Sequence, residues 1–254
     1  MKYIFIALVL LSCNNIVERR NAPKLAVEVL DTIGTVPAIV VAKPALFETA
    51  FIKGTTEKGK SANINLYGIT IGKINVTSGQ IIACDPLHID EYGLPFTQLF
   101  PVGEFPVQLS IAKVAQEETV AFARINFSDE PVVRWQLALL KDQKPMPVGS
   151  DEPHGFGVDA GIGIYMDQSA IKAMTQEQLT EIEEGISKDI LKEMEKHYHY
   201  DWKYAMYNVG QSKLAAFTTG LGDGRYATYI GFDAKGNPCR LIADFGLFDW
   251  KQKL

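Results

Sequence analysis

The sequence predicts an α+β fold, mainly antiparallel β-sheet, with one long amphipathic helix at about residues 175–198 and a short N-terminal helix. Three observations carry that prediction. Short apolar runs with period-two alternation recur in both halves of the chain, as half-buried strands require. Small turn clusters, such as Thr77-Ser78-Gly79 and Asp233-Ala-Lys-Gly-Asn-Pro238, separate consecutive runs in the manner of hairpins. A single stretch carries apolar residues at three- and four-residue spacing over helical length.

The elements follow in chain order. Met1-Lys2 precedes an apolar run, Tyr3 to Leu11, that ends in Ser12-Cys13. The run is far shorter than the roughly 20 residues a membrane span needs and reads as a secretory signal peptide. A cysteine directly after a small residue resembles the lipobox of bacterial lipoproteins, which implies that Cys13 is lipidated and becomes the mature N-terminus. Each buried methylene of such an anchor contributes about 0.8 kcal/mol. The protein is therefore expected to be tethered to a membrane and not to span it. Asn14 after the cysteine resembles lipoproteins sent on to the outer membrane. The polar stretch Asn14 to Lys24 has no apolar period, so residues 1–12 read as signal, 13–35 as tether and 36–254 as a single domain.

Within the domain, Val36 to Ala42 is a strand and Ala45 to Phe51 one or two helical turns. Strands continue at Ile64 to Tyr67, Ile69 to Val76 and Gln80 to Ala83. The segment Asp85 to Phe105 interrupts this rhythm with three prolines, two glycines and four aromatics. It is too irregular for an element and too apolar for a linker, and ordered loops of this length are often functional. Strands resume at Val107 to Val114, Val120 to Phe127 and Val132 to Leu140. The helix opens on Thr175-Gln-Glu-Gln178, a capping box in which Thr and Gln satisfy each other's backbone N–H groups. Leu179, Ile182, Ile186, Ile190, Leu191 and Met194 form its stripe, and acids at its start with Lys192, Lys196 and His197 near its end suit the helix dipole. Leu214 to Thr218, Arg225 to Phe232 and Arg240 to Phe245 are the last strands.

Composition narrows the function. The chain carries a net charge of −5 and no cluster of Lys or Arg, which argues against a nucleic-acid partner. Two cysteines lie in the domain, Cys84 and Cys239. They form one disulfide or remain two buried thiols, and the sequence leaves both open. Without CxxC and with only four histidines, neither a zinc site nor any cofactor is expected. No GxSxG or HExxH occurs.

Residues Gly155 to Asp167, GFGVDAGIGIYMD, match the relaxed dinucleotide fingerprint GxGxxA. A nucleotide loop must follow a strand and open a helix, and this one follows PMPVGSDEP and leads into strand-like alternation. Phe156, Val158, Ala160, Ile162, Ile164 and Met166 fall on one face of the expected strand, and five of the six positions on the other are Gly or Asp. A bare glycine face implies close approach by another group. On a straight strand Asp159 and Asp167 stand about 26 Å apart, too far for a catalytic pair. Thr219-Gly-Leu-Gly-Asp-Gly-Arg-Tyr226 reads as an Asx-type turn, although Asp223 is placed to meet Asp159 or Asp85 where loops gather at a sheet end.

Several stretches recur together in order: Ser78-Gly-Gln-Ile-Ile-Ala-Cys-Asp-Pro86, Val102-Gly-Glu-Phe-Pro-Val107, Gly155-Phe-Gly-Val-Asp-Ala-Gly161, Gly222-Asp-Gly-Arg-Tyr226, Tyr229-Ile-Gly-Phe-Asp233 and Ala243-Asp-Phe-Gly246. The set resembles the bacterial domain-of-unknown-function 4241 family from about Val36 to Phe248. The resemblance implies a single α+β domain and supplies no activity or catalytic residues. It places Asp85, Asp159, Asp223 and Asp244 on motif positions, and these are the candidate ligand-binding residues. The favoured function is that of a lipid-anchored envelope protein, in the outer membrane, whose domain binds a protein or small ligand without catalysis. An immunity-type role is one form of it. The alternatives are a carboxylate- and metal-dependent hydrolase using Mg²⁺ or Ca²⁺ and a structural envelope component.

Overall fold

A computed structural model describes residues 40–42, 45–59, 62–180 and 185–253. The expected signal segment 1–12, Cys13, the expected tether 13–35 and residues 36–39 of the first expected strand lie outside these. After β1 (Val40–Ala42) and one turn of helix, α1 (Leu46–Thr49), come β2 (Thr55–Lys58), β3 (Asn63–Val76) and β4 (Ile81–Cys84). A 3-10 turn at Pro86–His88 leads into α2 (Ile89–Tyr92). Then follow β5 (Gly103–Val114), β6 (Glu117–Asn126), β7 (Arg134–Leu137), β8 (Phe156–Val158) and β9 (Ile162–Asp167). Helices α3 (Ser169–Lys172), α4 (Gln176–Thr180) and α5 (Ile186–Met194) are consecutive. The remaining strands are β10 (Tyr198–His199), β11 (Trp202–Val209), β12 (Ser212–Thr218), β13 (Gly224–Phe232), β14 (Pro238–Asp244) and β15 (Lys251–Lys253).

The strands form two main sheets and a ribbon. The large sheet runs β2-β3-β5-β6-β14-β13-β7, with β8 also paired to β13. The small sheet runs β10-β11-β12-β9-β4, and β1 pairs with β15. All described pairs are antiparallel.

The alternation of apolar residues explains the layers. Val107, Leu109, Ile125, Ile230 and Leu241 of the large sheet face Ala83, Tyr165, Ala215 and Phe217 of the small one across the main core. A buried tyrosine hydroxyl needs a partner, and that of Tyr165 donates to the Ala123 carbonyl at 3.0 Å, joining β9 to β6. On the other face of the small sheet, Ile82, Ile164, Met166 and Ala216 pack with Ile186, Ile190 and Met194 of α5. The outer face of the large sheet buries Phe122, Tyr229 and Ile242 with Phe47 of α1 and Trp250. Glu48 holds α1 there, accepting from Arg240 Nε and Nη2, each at 3.1 Å, and from Arg124 Nη1 at 3.3 Å.

Two expectations are corrected. The helix expected over about 175–198 is not one long element. The capping box forms as predicted, with Gln178 N–H donating to Thr175 Oγ1 at 3.1 Å and Thr175 N–H to Gln178 Oε1 at 2.9 Å. Yet α4 and α5 are separate, because Gly185 is extended (φ −81°, ψ −173°) and a helix cannot run through it; residues 181–184 lie outside the described ones. Glycine is a weak helix former, and here it resets the chain so that α5 lays Ile190 and Met194 on the small sheet. The alternation from Phe156 to Met166 is likewise not one strand. It divides into β8, in the large sheet, and β9, in the small one, across a turn at Gly161 with φ +62°. Phe156 and Val158 enter the core between the sheets, whereas Ile162, Ile164 and Met166 face the helices. The bare glycine has the expected close neighbour: a Cβ on Gly163 would lie 3.0 Å from the Phe217 ring.

Cys84 and Cys239 are both buried and free, so no disulfide joins them. Asp167, at the end of β9, accepts from the N–H groups of Thr77, Ser78 and Ser169 at 2.9–3.1 Å and pins the β3–β4 hairpin. Burial opposes its charged form, but donors from Ser169 and Ser78 outweigh that and hold the carboxyl below its ordinary range. A depressed folded value contributes stability that is full above the unfolded pKa, about 3.9, and is lost as pH falls through the folded one. Urea unfolding should therefore show stability declining below about pH 4, with Asp167→Asn reducing that acid slope.

Candidate functional site

The site is built on the turn that follows β4. Asp85 begins the 3-10 turn Pro86–His88, and its Oδ1 accepts from Leu87 N–H at 2.7 Å. Its Oδ2 accepts from the N–H groups of Asp159 and Ala160 at 2.7 and 2.8 Å. The residue is 1% exposed. Asp85 thus clamps the β8–β9 turn, and a buried carboxylate that receives three N–H groups is well satisfied.

The clamp sets the geometry of the groups above it. His88 Nε2 lies 3.2 Å from Asp159 Oδ2, and the Asp159 side chain is 74% exposed. The His88 ring meets Tyr92 edge-on at 5.7 Å. A hydrogen bond to Glu91 pushes the Tyr92 hydroxyl above its ordinary value, and Asp159 and Arg225 act on it with opposite signs. The exposed Arg225 donates from Nη1 to the Gly155 carbonyl at 3.0 Å.

Asp223 arrives from β13. Gly224 pairs with Val158, so Asp223 and Asp159 flank the same end of the β8–β13 ribbon. Gly222 Cα sits 3.6 Å from the position of a Cβ on Gly161. Three of the four candidate aspartates, Asp85, Asp159 and Asp223, therefore gather at one end of the sheets. Asp244 lies on β14, opposite Ala227 of β13. It accepts from Gly246 N–H at 2.9 Å and Trp250 Nε1 at 2.7 Å, and burial raises its carboxyl above the ordinary value despite these donors. Asp223 and Asp244 line one cleft of about 350 Å³.

Proximity does not make these acids a metal centre. Among the described residues, no group of three His, Cys, Asp or Glu is placed to hold a metal ion. Cys84, beside Asp85, supplies no ready thiolate, because complete burial raises its pKa. What the arrangement offers to solvent is the His88–Asp159 pair with Tyr92 and Arg225, able to exchange hydrogen bonds with a ligand. His88 escapes a reading of the sequence, since its partner lies on a different turn.

The irregular segment after Asp85 continues this surface. Phe96 and Phe100 are buried in the main core, whereas Tyr92, Leu94, Leu99 and Val102 are 54–68% exposed. The segment lies along the free edge of β4, with Phe96 N–H donating to the Ile81 carbonyl at 2.9 Å and Phe100 N–H to Gly79 at 2.8 Å. It thereby covers an edge that would otherwise recruit another strand.

A family model described as a protein of unknown function, DUF4241, matches residues 74–243. The chain belongs to the DUF4241 family. No curated protein and no solved structure matches it. The DUF4241 match contains Asp85, His88, Asp159 and Asp223 and stops one residue short of Asp244.

The two kinds of aspartate in this DUF4241 domain separate by experiment. Asp85→Ala strands three N–H groups and should cost about 3 kcal/mol in urea unfolding. Asp159→Ala removes an exposed side chain and should change stability by less than about 0.5 kcal/mol.

Proposed function

We propose that the chain is a lipid-anchored bacterial envelope protein, held in the outer membrane through Cys13, whose DUF4241 domain binds a protein or small ligand without catalysis. The observation that carries the reading is the surface beside Asp85. Exposed Tyr92, Leu94, Leu99 and Val102 stand on a segment whose backbone is bonded to β4, next to half-buried His88 and its exposed partner Asp159. Aromatic and aliphatic anchors on a fixed backbone, with a polar group at their side, suit recognition. A partner at the envelope, such as a toxin neutralised by an immunity-type lipoprotein, is one ligand of this kind. Among the described residues no helix is long and apolar enough to cross a membrane, and the reading assigns attachment to the N-terminal lipid instead.

The gathering of Asp85, Asp159 and Asp223 favours a second reading, a carboxylate- and metal-dependent hydrolase. Against it, Asp85 spends both oxygens on backbone amides.

Thermal unfolding of the full chain decides between them. With EDTA, Mg²⁺, Ca²⁺, Mn²⁺ or Zn²⁺ the melting temperature should move by no more than about 1 °C, since only an ion that binds the folded chain stabilises it. A metal-dependent rise abolished by both Asp159→Asn and Asp223→Asn overturns the non-catalytic reading. The anchor is tested in cells: Cys13→Ala should abolish acyl labelling and shift the protein out of the membrane fraction. Labelling that persists in the variant refutes it.

A further inference from the structure

The segment after α2 is fixed in place by its own residues. Phe96 and Phe100 are buried in the main core, which leaves Tyr92, Leu94, Leu99 and Val102 on the outside. Its backbone is bonded on both sides, Phe96 N–H donating to the Ile81 carbonyl at 2.9 Å and Thr97 N–H to the Leu139 carbonyl at 2.8 Å. Thr97 Oγ1 donates to the same Leu139 carbonyl at 3.1 Å. Large apolar side chains are thus held outward on ordered backbone, so covering them costs little conformational entropy. Exposed apolar groups rimmed by polar ones mark interaction surfaces.

Charge selects what can cover this strip. No Lys or Arg occurs from Ile74 to Ala112 or from Pro145 to Ile171, so the strip, α2 and the β8–β9 turn carry carboxylates without either. Asp90, Glu91 and Asp159 are exposed there, and exposed Asp223 stands at the same end of the sheets. Arg225 is the neighbouring cation, and its Nη1 is spent on the Gly155 carbonyl at 3.0 Å. Half-buried His88 lies on Asp159 Oδ2 at 3.2 Å. Tyr92 adds an aromatic face, to which a cation is drawn. Phe51 and Phe232 already carry Arg124 and Arg134 at 3.8 and 4.0 Å, whereas among the described residues no cation lies over Tyr92.

We propose that this strip docks a basic polypeptide segment, one lysine or arginine of which stacks on Tyr92 beside Glu91 and Asp159 while its aliphatic neighbours cover Leu94 and Leu99. The inference rests on the binding reading above and adds the chemistry of the partner to it. Complementary charge favours the right partner and penalises the wrong one. A nucleic acid or an anionic lipid surface meets carboxylates here and is repelled. A second copy of the chain, docked through the same face, sets like charges against each other. A basic segment with apolar residues between its charges satisfies both the carboxylates and the exposed leucines.

Calorimetric titration of the full chain tests it with three flexible peptides. One alternates leucine with lysine and arginine across glycine spacers, and the others replace its basic residues by glutamine or by glutamate. The basic peptide should bind most tightly, and its advantage should shrink as salt screens the charges. The double variant Glu91→Lys, Asp159→Lys should weaken it about tenfold, and Leu94→Ser several-fold. Exposed Glu117, at the far end of the β5–β6 hairpin, serves as the control: Glu117→Lys also removes negative charge and should leave binding unchanged. If the double variant does not fold, Tyr92→Ala decides in its place. A neutral or acidic peptide that binds as tightly as the basic one, with Leu94→Ser weakening it, overturns the charge assignment and keeps the binding reading. Failure of every peptide at millimolar concentration overturns both at this strip. Basic-peptide affinity that survives the double variant overturns the proposal, since attraction to an acidic protein as a whole then explains it. Sedimentation of the unliganded chain as a dimer that Leu94→Ser dissociates also overturns it, because a second copy then covers the strip.

Discussion

Strand β9 lies between β12 and β4 and is buried on both faces, so every side chain on it needs a packed or hydrogen-bonded place. Tyr165 points between the sheets and bonds the Ala123 carbonyl. Ile164 and Met166 point the other way and require the cover that α5 supplies. Burying side chains of this size is worth roughly 1.5–3 kcal/mol each, which makes the helical layer a condition of the small sheet's stability. Gly163 leaves the room that the Phe217 ring takes. The two ends of β9 are fixed by carboxylates: Asp85 clamps the turn before it, and Asp167 closes its end onto the β3–β4 hairpin.

The same chemistry recurs across the acidic residues. Asp85, Asp167, Asp233 and Asp244 each accept backbone N–H groups, and Asp233 does so from Lys235 and Asn237 within the hairpin at 233–238. A carboxylate with two oxygens satisfies the amides that a tight turn leaves unpaired. Four motif aspartates that look alike in the sequence therefore divide. Asp85 and Asp244 are buried, the first bonded to backbone alone and the second to Gly246 N–H and the Trp250 indole, whereas Asp159 and Asp223 face solvent. The exposed pair, not the buried one, is available to a ligand at the β8–β13 end.

Local patterns were legible where the chemistry is local. The capping box at Thr175 and Gln178 forms between residues three apart, and the hairpin at 233–238 closes on its own aspartate. Most strands lie within a few residues of their alternating runs. The failures share a cause. Leu179 to Met194 carries a helical period, but Gly185 breaks it, and α5 packs Ile186, Ile190 and Met194 on the small sheet. Strand β11 shows no clean alternation because Tyr204 and Met206 are only partly buried against the main core, so its inner face is not marked by strongly apolar residues.

By itself the sequence determined the antiparallel β-rich class, the turn chemistry and the positions of the motif aspartates, because periodicity and turn residues act over a few positions. It also yielded the family, since ordered motifs survive as letters. Only the tertiary structure decided that one alternating run serves two sheets, that Asp85 bonds amides 74 and 75 residues away, and that His88 pairs with Asp159. It alone revealed that Asp223, from the turn before β13, and Asp244, at the end of β14, line one cleft. A period states which face of a strand is apolar; which element covers that face, and which polar groups are left over when it does, depends on the topology that brings distant segments together.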